Sequence, residues 1–187
     1  MNLLPTMRAR AVVLVEGVSD QRALEALAER RGRDLDAERV AIVPIGGAQA
    51  IGRFLRELRG VKVAGLCDAG EEGDFRRALE RAGLGSNLTR DDMERLGFFV
   101  CDADLEDELI RALGADEVIR VIEAESELGA FRTFQKQPAW RDRPIEQQLR
   151  RFIGTTSGRK IRSGALLVRA LDLARVPRPL DGVLEHV

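Results

Sequence analysis

Three acidic residues stand where chemistry would need them. Glu16 follows the apolar run Ala11–Val15 (AVVLV), Asp68 follows Val61–Cys67 (VKVAGLC), and Asp102 follows Gly97–Cys101 (GFFVC). Each run reads as a β-strand buried on both faces, as strands of a parallel sheet do. In such a sheet the C-terminal strand ends share one edge, where ligands of open α/β folds bind, so the three side chains are expected to converge. Packed carboxylates repel unless a cation neutralises them or one keeps its proton. Hard oxygen donors suit Mg²⁺ or Mn²⁺. A lone strand-end acid usually caps the next helix; three together favour a metal site.

The elements that must hold these residues follow from periodicity. Val40–Ile45 (VAIVPI) is a further strand, and Pro44 within it suggests a sheet edge. A helix carrying Ala23, Leu24 and Leu27 follows the first strand, with Ser19 or Asp20 as its N-cap. A second carries Ile51, Phe54, Leu55 and Leu58 after the turn Gly46–Gly47, and a charged one spans about Asp74 to Arg81. Beyond residue 103 the pattern becomes helical: Leu105–Leu113, Ala115–Glu123, Ser126–Gln135, Ile145–Ile153 and Ile161–Ala174, before Pro177 and Pro179 break it into a tail. The expectation is an α/β fold, a mainly parallel four-stranded Rossmann-like sheet flanked by helices, with a C-terminal helical extension. Residues 1–113 would form the α/β domain with the metal site, and 114–187 the extension.

Composition removes several alternatives. Hydrophobic residues are 44% of the 187, so the chain folds around a core. Thirty basic and 31 acidic residues nearly cancel, which excludes a uniformly basic nucleic-acid coat. Two cysteines, Cys67 and Cys101, build neither a disulfide framework nor a CxxC zinc site, and read as small buried hydrophobes. The single histidine, His186, sits next to the C-terminus, against histidine-based catalysis. No apolar stretch approaches a membrane span and MNLLPTMRAR lacks a signal-peptide pattern, so a cytoplasmic location with no membrane partner is expected. Trp140, Phe131 and Phe134 could stack on a base, but helix packing accounts for them as well. Gly46–Gly47 fits a tight turn as readily as a phosphate approach.

Charge is nonetheless segregated. Residues 101–130 hold ten acids and two bases; residues 131–170 hold ten bases and two acids. Solvated helical faces would explain this, and so would an acidic metal pocket beside a basic phosphate-binding surface.

The ordered set, strand–Glu16–Gly17–x–Ser19–Asp20 and then strand–Asp68, resembles a Toprim domain, and more closely that of the OLD-family (overcoming-lysogenization-defect) endonucleases. The resemblance covers roughly residues 10–170 in element order. It implies a second acid at Asp20, an acidic element at Asp104–Leu105–Glu106, and a downstream lysine at Lys160 within Ser157–Gly158–Arg159–Lys160. On that basis Glu16, Asp20, Asp68 and Glu106 are expected metal ligands, with Asp104 an additional one. Lys160 would stabilise a phosphorane-like transition state as a point charge, Arg159 and Arg162 would position the nucleic-acid backbone, and Arg150 and Arg151 would lie on the outer binding face. Two cations could then drive phosphodiester cleavage without histidine.

Two departures accompany the resemblance. The usual Asp-x-Asp is Asp68–Ala69–Gly70, leaving Glu71 or Glu72 to supply the second carboxylate; the alternative Asp102–Ala103–Asp104 fits the strand order less well. The sequence also holds no GxxxxGK[ST], and Gly154–Lys160 (GTTSGRK) does not match it, so an ATPase would be a separate partner. The implied function is a metal-dependent nuclease acting on DNA. An RNA-processing nuclease and a non-catalytic nucleic-acid-binding or partner subunit are the alternatives, and a homo-oligomer is left open.

Overall fold

Strand β1 (Ala11–Val15) has every residue buried, and its side chains divide between two cores. Ala11, Val13 and Val15 face one apolar cluster; Val12 and Leu14 face another on the opposite side. A strand covered by helices on both faces has no position to spare for a polar residue, which accounts for the uninterrupted run. Each fully buried Val or Leu contributes about 1.5–3 kcal/mol. The structure is a computed structural model that describes residues 9–187, apart from the side chain of Ser157; the first eight residues of the expected first domain lie outside it.

Strands β2 (Val40–Pro44), β3 (Lys62–Asp68) and β4 (Phe98–Cys101) complete an all-parallel sheet in the order β2-β1-β3-β4. Pro44 lies on the edge strand β2, where its missing N–H costs no ladder bond. The chain leaves β1 toward β2 and then crosses back to place β3 on β1's other side. The C-terminal ends of β1 and β3 therefore flank a point where connections depart in opposite directions, the position at which such sheets open a crevice.

Helix α1 (Val18–Arg30) covers one face through Ala23, Leu24 and Leu27. Helices α2 (Ile51–Glu57) and α3 (Glu72–Arg81) cover the other through Ile51, Phe54, Phe75 and Leu79. A short α4 (Arg90–Arg95) precedes β4 and was not expected, although Thr89 and Asp92 close a capping box around its start. Then follow α5 (Leu105–Leu113), α6 (Ala115–Ala124), α7 (Leu128–Gln135), α8 (Ile145–Ile153) and α9 (Ser157–Ala170).

Helix α9 corrects the expected Ile161–Ala174: Thr156 caps it, and it begins four residues earlier, which brings Lys160 into its first turns. It lies along α1, and Gly164 permits the approach; a Cβ there would come 3.2 Å from the Ser19 carbonyl oxygen. The expected tail is also corrected. Pro177 caps and Pro179 opens a tenth helix, α10 (Arg178–His186), because proline suits a first helical turn. Its Leu180, Val183 and Leu184 are buried, and they join the core shared by β1, α1 and α9.

Candidate metal centre

At the open end of β1 the chain turns sharply. Gly46 N–H donates to the Glu16 carbonyl at 3.1 Å, and Gly46 and Gly47 hold positive φ angles of 75° and 115°, so these glycines form a turn. Gly17, rather than Ser19 or Asp20, is the N-cap of α1. Asp20 sits three residues into the helix and accepts the Gly17 N–H at 2.9 Å, which aims its carboxylate back toward Glu16. Burial raises the Asp20 pKa, opposed by the Gly17 hydrogen bond and the nearby Lys160.

Asp68 ends β3 directly beside this turn. A single 3₁₀ turn, Ala69–Glu71, follows it. Residues three apart eclipse in that geometry, so Glu71 comes to lie beside Asp68. Carboxylate oxygens of Glu16, Asp68 and Glu71 all fall within 4.8 Å of one another. Asp68 is pushed up to about 7, first by burial and then by Asp20, Asp104, Glu16 and Glu106. Glu71 is pushed up by burial and by sharing a hydrogen bond with Glu16, which requires a proton between the two. Of the two residues that could replace the missing second Asp, Glu71 reaches the cluster. Glu72 is engaged elsewhere, 2.8 Å from Arg90.

A second wall comes from the helical part. Asp104 caps α5 by accepting the Asp107 N–H at 2.8 Å, so Glu106 falls in the first turn. Glu106 is 3% exposed; its Oε2 lies 3.7 Å from Lys160 Nζ. Burial pushes the Glu106 carboxyl up to about 7 against the pull of Lys160. For Lys160, burial works against the charge, but the fields of Glu106, Asp20, Asp68 and Asp104 outweigh it and the pKa rises. Lys160 thus stands as a cation in the field of four carboxylates.

The arrangement fits a hard divalent cation. Its donors are all carboxylate oxygens. Two of them, Glu71 Oε2 and Glu106 Oε1, are buried with no hydrogen-bond partner. Buried polar atoms are rarely left so, and both belong to residues of the acidic group whose protons a cation would displace.

Other expected residues are placed differently. Asp102 does not converge with Glu16 and Asp68: β4 is the far edge strand, and Asp102, its side chain 67% exposed, pairs with Arg90 at 3.1 Å and Arg111 at 3.4 Å. This also decides against Asp102–Ala103–Asp104 as the strand-end pair. Arg150 is not on the outer face alone; its guanidinium holds Asp104 at 2.7 Å. Arg159 lies over the Phe152 ring at 4.0 Å and bonds Glu127 at 2.6 Å, so it pins α9 to α7's start. Arg162, exposed, reaches the same Glu127 at 3.5 Å. Arg151 is exposed on α8, its guanidinium 5.9 Å from the Trp140 ring. Trp140 stacks on Phe134, and Phe131 is buried, so these aromatics pack helices. Cys67 and Cys101 are buried free thiols whose pKa values burial raises, in keeping with a packing role. Among the described residues no helix is long and apolar enough to cross a membrane.

Residues 8–69 match the family described as overcoming lysogenization defect protein-like, TOPRIM domain. The fold resembles the C-terminal region of the Xanthomonas campestris pv. campestris OLD protein (TM-score 0.75, 23% identity, 98% of this chain and 94% of that one). It also resembles the C-terminal region of the Burkholderia pseudomallei OLD protein (TM-score 0.72, 21% identity, 95% of this chain and 96% of that one). An iodine-phased structure of the Xanthomonas region matches at 25% identity and a TM-score of 0.68, over 95% of this chain and 93% of that one. No curated protein matches in sequence. The fold is that of the OLD C-terminal regions, with the TOPRIM match lying in its first part.

Proposed function

We propose that the chain is a divalent-metal-dependent endonuclease of Toprim type, which hydrolyses phosphodiester bonds of DNA in the cytoplasm. The observation that carries this reading is the convergence of Glu16, Asp68 and Glu71 oxygens within 4.8 Å, facing a buried Glu106 and the Lys160 ammonium. Glu16, Asp20, Asp68, Glu71 and Glu106 would hold Mg²⁺ or Mn²⁺, with Asp104 joining on release from Arg150. Bound cations of this kind polarise a phosphoryl oxygen, acidify a water and stabilise the leaving oxygen, and two of them suffice without histidine.

The chain's own residues supply the rest. Asp20 is held by the Gly17 N–H, so its carboxylate is oriented before any ligand arrives. Lys160 stays protonated because four carboxylates favour its charge, and it meets negative charge developing on the phosphate. The carboxyls of Asp68 and Glu106 are partly protonated near neutrality, and bound cations would displace those protons. Arg151 and Arg162, exposed on α8 and α9, are the residues proposed to hold the nucleic-acid backbone, Arg162 by leaving its long 3.5 Å contact with Glu127, while Arg150 and Arg159 act through Asp104 and Glu127. The functional division at residue 113 is thus one of roles: carboxylates before it, basic groups after it, over a shared core.

The test is nicking of supercoiled plasmid by the purified protein with Mg²⁺ or Mn²⁺, beside Glu16→Ala. Metal-dependent nicking that disappears in a folded Glu16→Ala protein supports the reading. Salt-sensitive DNA binding with no cleavage under either metal would replace it with a binding subunit, and cleavage restricted to RNA with an RNA-processing role.

A further inference from the structure

At the opposite end of the sheet from the carboxylates, a groove of about 370 Å³ opens between α2, α3 and the strand starts of β3 and β4. Its apolar lining includes Leu55, Leu58, Val61, Val63, Leu84 and Phe98. Leu84 is 45% exposed, among the most exposed large apolar side chains of the described residues. Three exposed arginines, Arg56, Arg59 and Arg81, also line the groove, and no Asp or Glu does.

That charge pattern differs from its surroundings. Elsewhere on the same helices, Arg53 pairs with Glu57 and Arg77 with Asp74. Arg56, Arg59 and Arg81 form no ion pair and no side-chain hydrogen bond among the described residues. An apolar floor with an unbalanced positive rim is complementary to a segment with an apolar stripe and acidic flanks.

We propose that this groove docks an acidic amphipathic helix of a partner protein. Such a helix would lay leucine-like residues at i, i+3, i+4 and i+7 against Leu55, Val63 and Leu84, with glutamates or aspartates reaching the three guanidiniums. The location argues against nucleic acid as the occupant. Strand β3 spans seven residues, so the groove floor at its start lies about 20 Å from Asp68 along the strand at ~3.3 Å per residue. The proposal is independent of whether the carboxylate cluster cleaves anything.

The test uses the full chain and two fluorescein-labelled 18-residue peptides, one built of Leu, Ala and Glu in a helical amphipathic pattern, the other with Lys replacing every Glu. By anisotropy the acidic peptide should bind at least about tenfold more tightly than the basic one. Binding should fall at least about tenfold in Leu84→Asp and in the triple variant Arg56→Ala, Arg59→Ala, Arg81→Ala. The charge-reversed triple variant Arg56→Glu, Arg59→Glu, Arg81→Glu should come to prefer the basic peptide, a gain that misfolding cannot imitate. Equal affinity for both peptides, or unchanged binding in the alanine triple variant, overturns the proposal. So does displacement of the peptide by a DNA oligonucleotide, which would make the rim a nucleic-acid face. A dimer converted to monomer by Leu84→Asp would assign the groove to a second copy and likewise overturn it.

Discussion

Replacing Glu106 by glutamine should stabilise the metal-free protein, and only above a defined pH. Glu106 is 3% exposed, one of its oxygens has no partner, and burial lifts its carboxyl from 4.5 to about 7. In the unfolded chain it titrates near its ordinary value. Between those two values the unfolded state has lost the proton while the native state retains it. Stability therefore falls as pH rises through this window and stays reduced above it. A shift of that size, at ~1.36 kcal/mol per unit, costs about 3 kcal/mol at pH 8. Glutamine resembles the protonated carboxyl and removes this cost; the attraction to Lys160, 3.7 Å away, is already contained in the raised value, so the net gain is about 3 kcal/mol. At ~2–4 °C per kcal/mol for a chain of this size, Tm at pH 8 should rise by about 6–12 °C, with almost no difference at pH 4.5. Circular-dichroism melts in a chelator at the two pH values measure this. A Glu106→Gln protein less stable than wild type at pH 8, or one offset equally at both, would refute the assignment of Glu106 as a buried, strained carboxyl.

Other consequences of the geometry are testable in parallel. Millimolar Mn²⁺ added to chelator-treated protein should raise Tm, by about 2.7 kcal/mol of added stability at one hundred times Kd, and the shift should shrink below pH 6 as Asp68 and Glu106 hold their protons; no shift at pH 8 counts against the site. Glu71→Gln should weaken Mn²⁺ binding at least about tenfold by calorimetry, whereas Glu72→Gln should leave it nearly unchanged and lower Tm slightly through the lost Arg90 pair; the reverse order would move the second carboxylate to Glu72. In the DNA assays, Lys160→Ala should lose turnover and keep affinity, Arg151→Ala with Arg162→Ala should lose affinity and salt slope, and Arg150→Ala should change the metal dependence by freeing Asp104; uniform loss in all three would reduce them to one stability effect.

Much of the frame is readable from residue order. AVVLV before Glu16 and VAGLC before Asp68 are too uniformly apolar for anything but strands covered on both faces, and Pro44 marks an edge. Helices α5 and α8 fall where periodicity places them, at Leu105–Leu113 and Ile145–Ile153. Of the residues that the resemblance names, Glu16 and Asp68 lie with Glu71 in one carboxylate group, and Asp20, Asp68 and Glu106 lie close enough to Lys160 to raise its pKa. One miss has a plain cause. Residues near Pro177 and Pro179 read as a broken tail because prolines stop helices in general, yet they open α10, whose apolar side finds a ready core.

What the sequence by itself determined is which residues lie at strand ends and which faces are apolar, because both follow from backbone geometry repeated at short range. It could not rank Glu71 against Glu72, adjacent in the chain. The 3₁₀ turn after Asp68 sets one beside the cluster and the other against Arg90. Nor could it interpret the separated charge tracts, which fit solvated faces and a basic surface equally well. The fold joins them instead: Asp104 to Arg150, Glu106 to Lys160, Glu127 to Arg159 and Arg162. Asp102, a strand-end acid as promising as its neighbours in sequence, is excluded because β4 is the outer strand. Pairings over such separations depend on which helices pack together, and packing alone decides which carboxylates are dried and crowded.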